Sequence, residues 1–195
     1  MTTDELDRYR YRLRFGKQGL GCFFSHHDTL QTLERWLRRS LAGLWFSQGF
    51  NPHPRISVPA ALGVGIRSRA EVAEFELVRF FKPARALALL AEKALEGMPP
   101  YSLDLIAPST VGQPVVSCYR VELEEEYPLE RLAERLARSS IPIRRESDKG
   151  VRELEGRPFL KHCEVLGKEM RLEVYHREGK TIKPSEILSW LEVVP

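Results

Sequence analysis

The sequence predicts an α+β protein made of two tandem ferredoxin-like (split βαβ) units, the second atypical. Three observations lead there. Segments alternating apolar and polar residues with period two, the mark of half-buried strands, are interspersed with segments whose apolar residues recur at helical spacing. Their order through residue 107 is β-α-β-β-α-β, that of a split βαβ unit. A stretch of turn-forming composition, Pro-Ser-Thr-Val-Gly-Gln-Pro, then precedes a second series of the same kind. The expected organisation is a basic first domain over 1–107, a linker over 108–114 and a second domain over 115–195. A length of 195 residues suits one ordinary domain or two small ones, at roughly 150 residues per domain.

The first strand is read from residues 9–15, where Tyr11, Leu13 and Phe15 face a core and Arg10, Arg12 and Arg14 the other side. A helix begins near Ser25, whose spacing to Asp28 resembles a capping box. Leu30, Leu33, Leu37 and Leu41 form its buried stripe, and Gly43 is its stop. Leu44–Ser47 is expected to be the second strand. The loop Gln48-Gly49-Phe50-Asn51-Pro52-His53-Pro54 follows, and Arg55–Ala60 resumes an extended pattern. Val72–Phe81 alternates as the next strand, Pro83 opens a helix ending at Gly97, and Tyr101–Ile106 closes the unit. The second series reads as a strand at 119–123, a helix at 129–138, extended segments at 141–145, 151–166 and 170–176, and a final helix from Pro184.

Composition excludes several classes of function. No apolar run approaches the roughly 18 residues that cross a bilayer. Residues 1–7 are acidic and polar, unlike a signal peptide. No membrane association and a cytoplasmic location are therefore expected. Cys22, Cys118 and Cys163 are odd in number and lack a CxxC spacing, so neither a disulfide framework nor a cysteine metal site is indicated. The glycines at 16, 19 and 21 do not match a dinucleotide fingerprint, and no Walker loop is present. No cofactor and no metal are expected.

The net charge of +3 hides an uneven distribution. Residues 8–69 hold 11 basic side chains against Asp28 and Glu34, a local excess of nine that the rest of the chain offsets. Arg35, Arg38 and Arg39 share one helical face, and Arg10, Arg12 and Arg14 one strand face. Arg55 adds to them. Tyr9, Tyr11, Trp36, Trp45, Phe46 and Phe50 interleave with these cations. Guanidinium groups with exposed rings suit flexible RNA, pairing with phosphates and stacking on unpaired bases. A solvated strand face with core aromatics, or a basic surface that docks a protein, would give the same pattern. Glu71, Glu74 and Glu76 stand where they can pair with the arginines.

His26 and His27 begin the first helix, and His53 lies in the proline-flanked loop. His26 or His53 is a weak candidate for the acid–base group of a metal-independent ribonuclease. Metal binding has no support in their spacing. Hydrogen bonding at a helix start and in a turn accounts for both without chemistry.

Three runs carry a resemblance: Ser25-His26-His27-Asp28, Glu34-Arg35-Trp36-Leu37-Arg38-Arg39, and Ser47-Gln48-Gly49-Phe50-Asn51-Pro52-His53-Pro54-Arg55-Ile56-Ser57. They resemble a family of unknown function, of the DUF2344 type, whose members are found beside or fused to radical SAM proteins. The resemblance continues through Ser68, Glu71 and Glu74 and, more weakly, to Thr181-Ile182-Lys183-Pro184. It implies a radical SAM protein as partner and a role in RNA modification or processing. The two-unit arrangement is also similar to repeat-associated RNA-processing proteins, an analogy of fold alone. The expected function is a non-catalytic RNA-binding or substrate-presenting partner. Arg10, Arg12, Arg14, Arg35, Arg38, Arg39 and Arg55 would contact RNA, and Gln48, Gly49, Phe50, Asn51, Pro52 and His53 would form the motif loop. A ribonuclease and a pure protein-interaction module are the alternatives.

Overall fold

A computed structural model describes residues 8–60, 62–107, 116–147, 150–177 and 180–193. The chain divides into two compact units, Met1–Gly112 and Gln113–Pro195. The expected linker, 108–114, lies outside the described residues.

In the first unit the elements run β1 (Tyr9–Lys17), a 3-10 turn (Gly19–Phe23), α1 (His26–Ser40), β2 (Ile56–Ser57), β3 (Ser68–Leu77), α2 (Pro83–Glu92) and β4 (Pro100–Ile106). The antiparallel sheet has the order β2-β3-β1-β4, which is the ferredoxin-like arrangement. Register places Leu13 opposite Ala73 and Leu103, and Tyr11 opposite Phe75 and Leu105. Tyr11, Leu13, Phe15, Ala73, Phe75, Leu77 and Leu103 form the core with Leu33, Trp36 and Leu37 of α1 and Ala86 and Leu90 of α2. Trp36 is fully buried and places its indole N–H on the Leu90 carbonyl at 3.0 Å, tying α1 to α2. The Tyr11 hydroxyl, also buried, donates to the Phe81 carbonyl and accepts from the Phe81 N–H.

The second strand differs from expectation. Leu44–Ser47 makes only isolated bridges, Leu44 to Leu77 and Phe46 to Pro54, while the short β2 forms further on. Gly43 explains the displacement. Its φ is +86° and its Cα lies against Val78, so the chain leaves α1 by a sharp turn that a side chain would obstruct. Residues 43–45 then run antiparallel beside the end of β3, with the Val78 N–H on the Gly43 carbonyl and the Trp45 N–H on the Glu76 carbonyl, before the motif loop interrupts this edge and β2 resumes it.

In the second unit the elements are β5 (Val116–Glu122), α3 (Leu129–Leu136), β6 (Pro142–Ser147), β7 (Gly150–Glu155), a 3-10 turn (Arg157–Phe159), β8 (Leu160–Leu166), β9 (Glu169–Tyr175) and α4 (Pro184–Leu191). The strands form a three-stranded antiparallel sheet, β5-β9-β8, and a separate hairpin, β6-β7. This is the atypical unit. The stretch 151–166, read as one extended segment, is divided by the 3-10 turn at Arg157–Phe159. Met170, Leu172 and Val174 of β9 pack with Ile141, Ile143, Ile182, Ile187 and Leu191 in its core. Beyond α4, Glu192 has φ +60°, and its carboxylate is held by Arg131 and Arg135 of α3.

No helix among the described residues is long and apolar enough to cross a membrane.

Candidate functional site

The arginines of the first unit fall into two groups with different surroundings. Arg10, Arg12 and Arg14 lie on the sheet face away from the helices, as their alternation requires. Glu74, directly opposite Arg12 in register, accepts from Arg10 at 2.6 Å and from Arg12 at 2.7 and 3.0 Å. Glu74 is only 3% exposed, and the two arginines about a fifth exposed. Their charge is therefore directed into a structural ion-pair network. Arg14, opposite Val72, is exposed and has no ion pair among the described residues.

Lys17 belongs to neither group, although its sequence position counts it with the basic residues. It shares the parity of Leu13 and Phe15 and is 2% exposed, and its ammonium donates to the Phe24 carbonyl at 2.8 Å. Glu71 shares the parity of Ala73 and Phe75 and is likewise buried. Burial pushes its carboxyl above the ordinary glutamate value; a hydrogen bond from Ser68 and the nearby Lys17 charge act in the opposite direction. Beside this pair α1 begins. Ser25 Oγ accepts from the Asp28 N–H at 3.2 Å, and Asp28 accepts from the Ser25 N–H at 3.0 Å. This closes the expected capping box. The same Ser25 bonds hold the Asp28 carboxyl below its usual range. Motif residues Ser25 and Asp28 thus cap the start of α1, Lys17 holds the Phe24 carbonyl just before it, and Ser68 and Glu71 of β3 lie near Lys17.

At the other end of α1 the surface is different. Arg35, Arg38 and Arg39 are exposed on the helix, and Arg55 on the segment leading into β2. Arg38 pairs with Glu34 at 3.0 Å, and its guanidinium lies 5.0 Å from the Phe46 ring centroid. Arg35, Arg39 and Arg55 have no ion pair among the described residues. Two of these cations stand in the last turn of α1, where the helix dipole favours positive charge.

The motif loop projects beside this surface. The Ser47 N–H donates to the His53 carbonyl at 2.8 Å, and the His53 N–H donates to Ser47 Oγ at 2.9 Å. The Phe46–Pro54 bridge and the Arg55 N–H on the Trp45 carbonyl continue the closure. Gly49, with φ +129°, turns the chain within the loop. Gln48, Phe50, Asn51, Pro52 and His53 are exposed, Phe50 fully.

This arrangement sorts the interleaved aromatics. Tyr11 and Trp36 are core, and Tyr9 packs on Phe80. Trp45 lies under Arg8, with the guanidinium 4.8 Å from its ring centroid, and Phe46 lies under Arg38. Phe50 presents its ring to solvent.

A family model described as "Uncharacterized protein conserved in bacteria (DUF2344)" matches residues 10–184. The chain belongs to this family. No curated protein matches it. The DUF2344 match spans both units, from the first strand to the start of α4, and so includes the second unit in which the resemblance of motifs is weakest.

The candidate acid–base residues of this DUF2344 chain are not brought together. His26 opens α1, whereas His53 lies by Phe46, which Arg38 in the last turn covers. With 1.5 Å of rise per residue, the intervening helix spans about 18 Å. Both rings are exposed. The role visible for His53 is made by its backbone, closing the loop on Ser47. Among the described residues no group of three His, Cys, Asp or Glu side chains is placed to hold a metal ion.

Proposed function

We propose that this protein is a non-catalytic RNA-binding partner that presents RNA to a radical SAM enzyme in the cytoplasm. The observation that carries the RNA reading is the surface at the C-terminal half of α1. There Arg35, Arg39 and Arg55 are exposed and free of ion pairs among the described residues, next to a closed loop that displays Phe50. Cations at helical spacing supply phosphate contacts, and their strength falls with salt as counterions are released. The radical SAM partner is supported by the resemblance of the three motif runs. The ferredoxin-like sheet face contributes less than its arginine content suggests, because Arg10 and Arg12 are paired with Glu74.

The test is RNA binding measured over a salt series for the wild-type chain and for Arg35→Glu/Arg38→Glu/Arg39→Glu. Wild type should bind with a steep salt dependence, and the triple variant should lose that binding while keeping its fold. A wild-type chain that binds no cellular RNA at low salt would sink the reading. A radical SAM protein co-purifying with the chain in the absence of RNA would instead favour a protein-interaction module.

A further inference from the structure

We infer that the Gln48–Pro52 tip is a nucleobase-reading element, so that the RNA this surface takes is single-stranded where it meets Phe50. The inference rests on the RNA reading above and names the form of the nucleic acid. Three features support it.

The first is the ring itself. Large apolar side chains are normally withdrawn from water, and Phe50 is the most exposed of those this protein leaves at its surface. One isolated exposed ring on a surface is ordinary. This ring is at the tip of a loop beside a row of cations. A phenyl face stacks on any unpaired base, whereas a duplex keeps its bases stacked on one another and offers only backbone and groove edges.

The second is the loop's construction. Reciprocal bonds between Ser47 and His53, the Phe46–Pro54 bridge and the Arg38–Phe46 stack fix its base. The conformation is held without any contact from Phe50, so the ring is displayed at little ordering cost on binding.

The third is what flanks the ring. Gln48 and Asn51 are both exposed and carry carboxamides, each with donors and an acceptor. Side-chain amides of this kind can hydrogen-bond the Watson–Crick edge of a splayed base. Arg39 and Arg55 supply cationic contacts for adjacent phosphates. The loop therefore combines a stacking face, edge-reading groups and phosphate partners within a few residues.

The experiment uses the full chain, a fluorescently labelled short unstructured RNA, and the same RNA annealed to its complement, with binding followed by anisotropy over a salt series. Wild type should prefer the single strand. Phe50→Ala should weaken single-strand binding about tenfold or more, leave duplex binding unchanged and leave the salt slope unchanged, because no phosphate contact is removed. Phe50→Trp should retain single-strand affinity. Equal affinities of wild type and Phe50→Ala for the single strand, with binding still lost in the α1 triple variant, would overturn this inference and leave the RNA reading standing. No binding of either form by wild type would overturn the RNA reading itself. Equal binding of the same sequence made as DNA would leave the stacking and overturn the assignment to RNA. Circular dichroism of Phe50→Ala should match wild type, since the ring packs on nothing.

Discussion

Arg10 and Arg12 on the sheet and Arg35 and Arg39 on α1 are the same residue type in the same unit, and they do different work. The first two converge on one carboxylate that is 3% exposed; the second two face water without an ion pair among the described residues. Local charge density in the sequence is similar for both. The difference arises across the sheet, where β3 delivers Glu74 opposite Arg12. An arginine count therefore measures the potential for an interface, and the long-range carboxylate decides which arginines remain available for one.

The largest effect expected from this contrast is on binding. Arg35→Gln/Arg39→Gln, which touches no ion pair among the described residues, should strongly weaken RNA binding at moderate salt, while the unfolding free energy stays within about 0.5 kcal/mol of wild type, as for most surface substitutions. A large loss of stability would erase the distinction between the two groups.

Glu74→Ala tests the other group. It leaves two partly buried guanidinium groups without their shared acceptor and should cost about 3 kcal/mol in urea unfolding. Little destabilisation would mean that the Glu74 pairing contributes no more than a surface ion pair does.

Ser25→Ala removes the N-cap of α1 and should cost about 1 kcal/mol. The cap also carries a pH dependence. Asp28 is held below its usual range by Ser25, so this stabilisation is present above the unfolded-state pKa and is lost as pH falls through the folded one. In Ser25→Ala that acid-side loss should be smaller.

Glu71→Gln should give the smallest effect, visible as a slope. Burial raises the folded-state pKa of Glu71 above its ordinary 4.5, so the native state holds the proton more tightly than the unfolded chain. Wild type should lose stability relative to the variant as pH rises from the ordinary value through the raised one, and the difference should level off above it. Denaturation midpoints over a pH series measure this. A difference that shrinks with rising pH would show that the Lys17 charge outweighs burial.

Much of this was legible in the sequence because it depends on local periodicity. The alternation of residues 9–15 assigns the faces of Arg10 to Phe15 in β1, and Ser25 with Asp28 marks the start of α1. Parity also held the information that Lys17 and Glu71 point inward, since each continues a series of core residues. The position of β2 was less accessible. Residues 44–47 have strand-like composition, and their pairing with β3 is cut short where Phe46 turns back onto Pro54, a closure that depends on the loop's fold and not on local composition. The pairing of Arg10 and Arg12 with Glu74 was anticipated as one of three carboxylates, but which one reaches them depends on register across more than sixty residues. The isolation of Phe50 from the other aromatics was invisible for the same reason. Trp45 and Phe46 find their arginines only after folding.

β2 pairs over two residues, and the loop before it closes on its own backbone through Ser47 and His53. So short an edge gives an incoming strand almost nothing to extend on that side of the sheet, in contrast to the opposite edge, β4. It also makes the segment between Ser47 and His53 a cassette. Gln48, Phe50, Asn51 and Pro52 can be exchanged without removing a sheet hydrogen bond or a core side chain, while Gly49 keeps the turn that its positive φ requires.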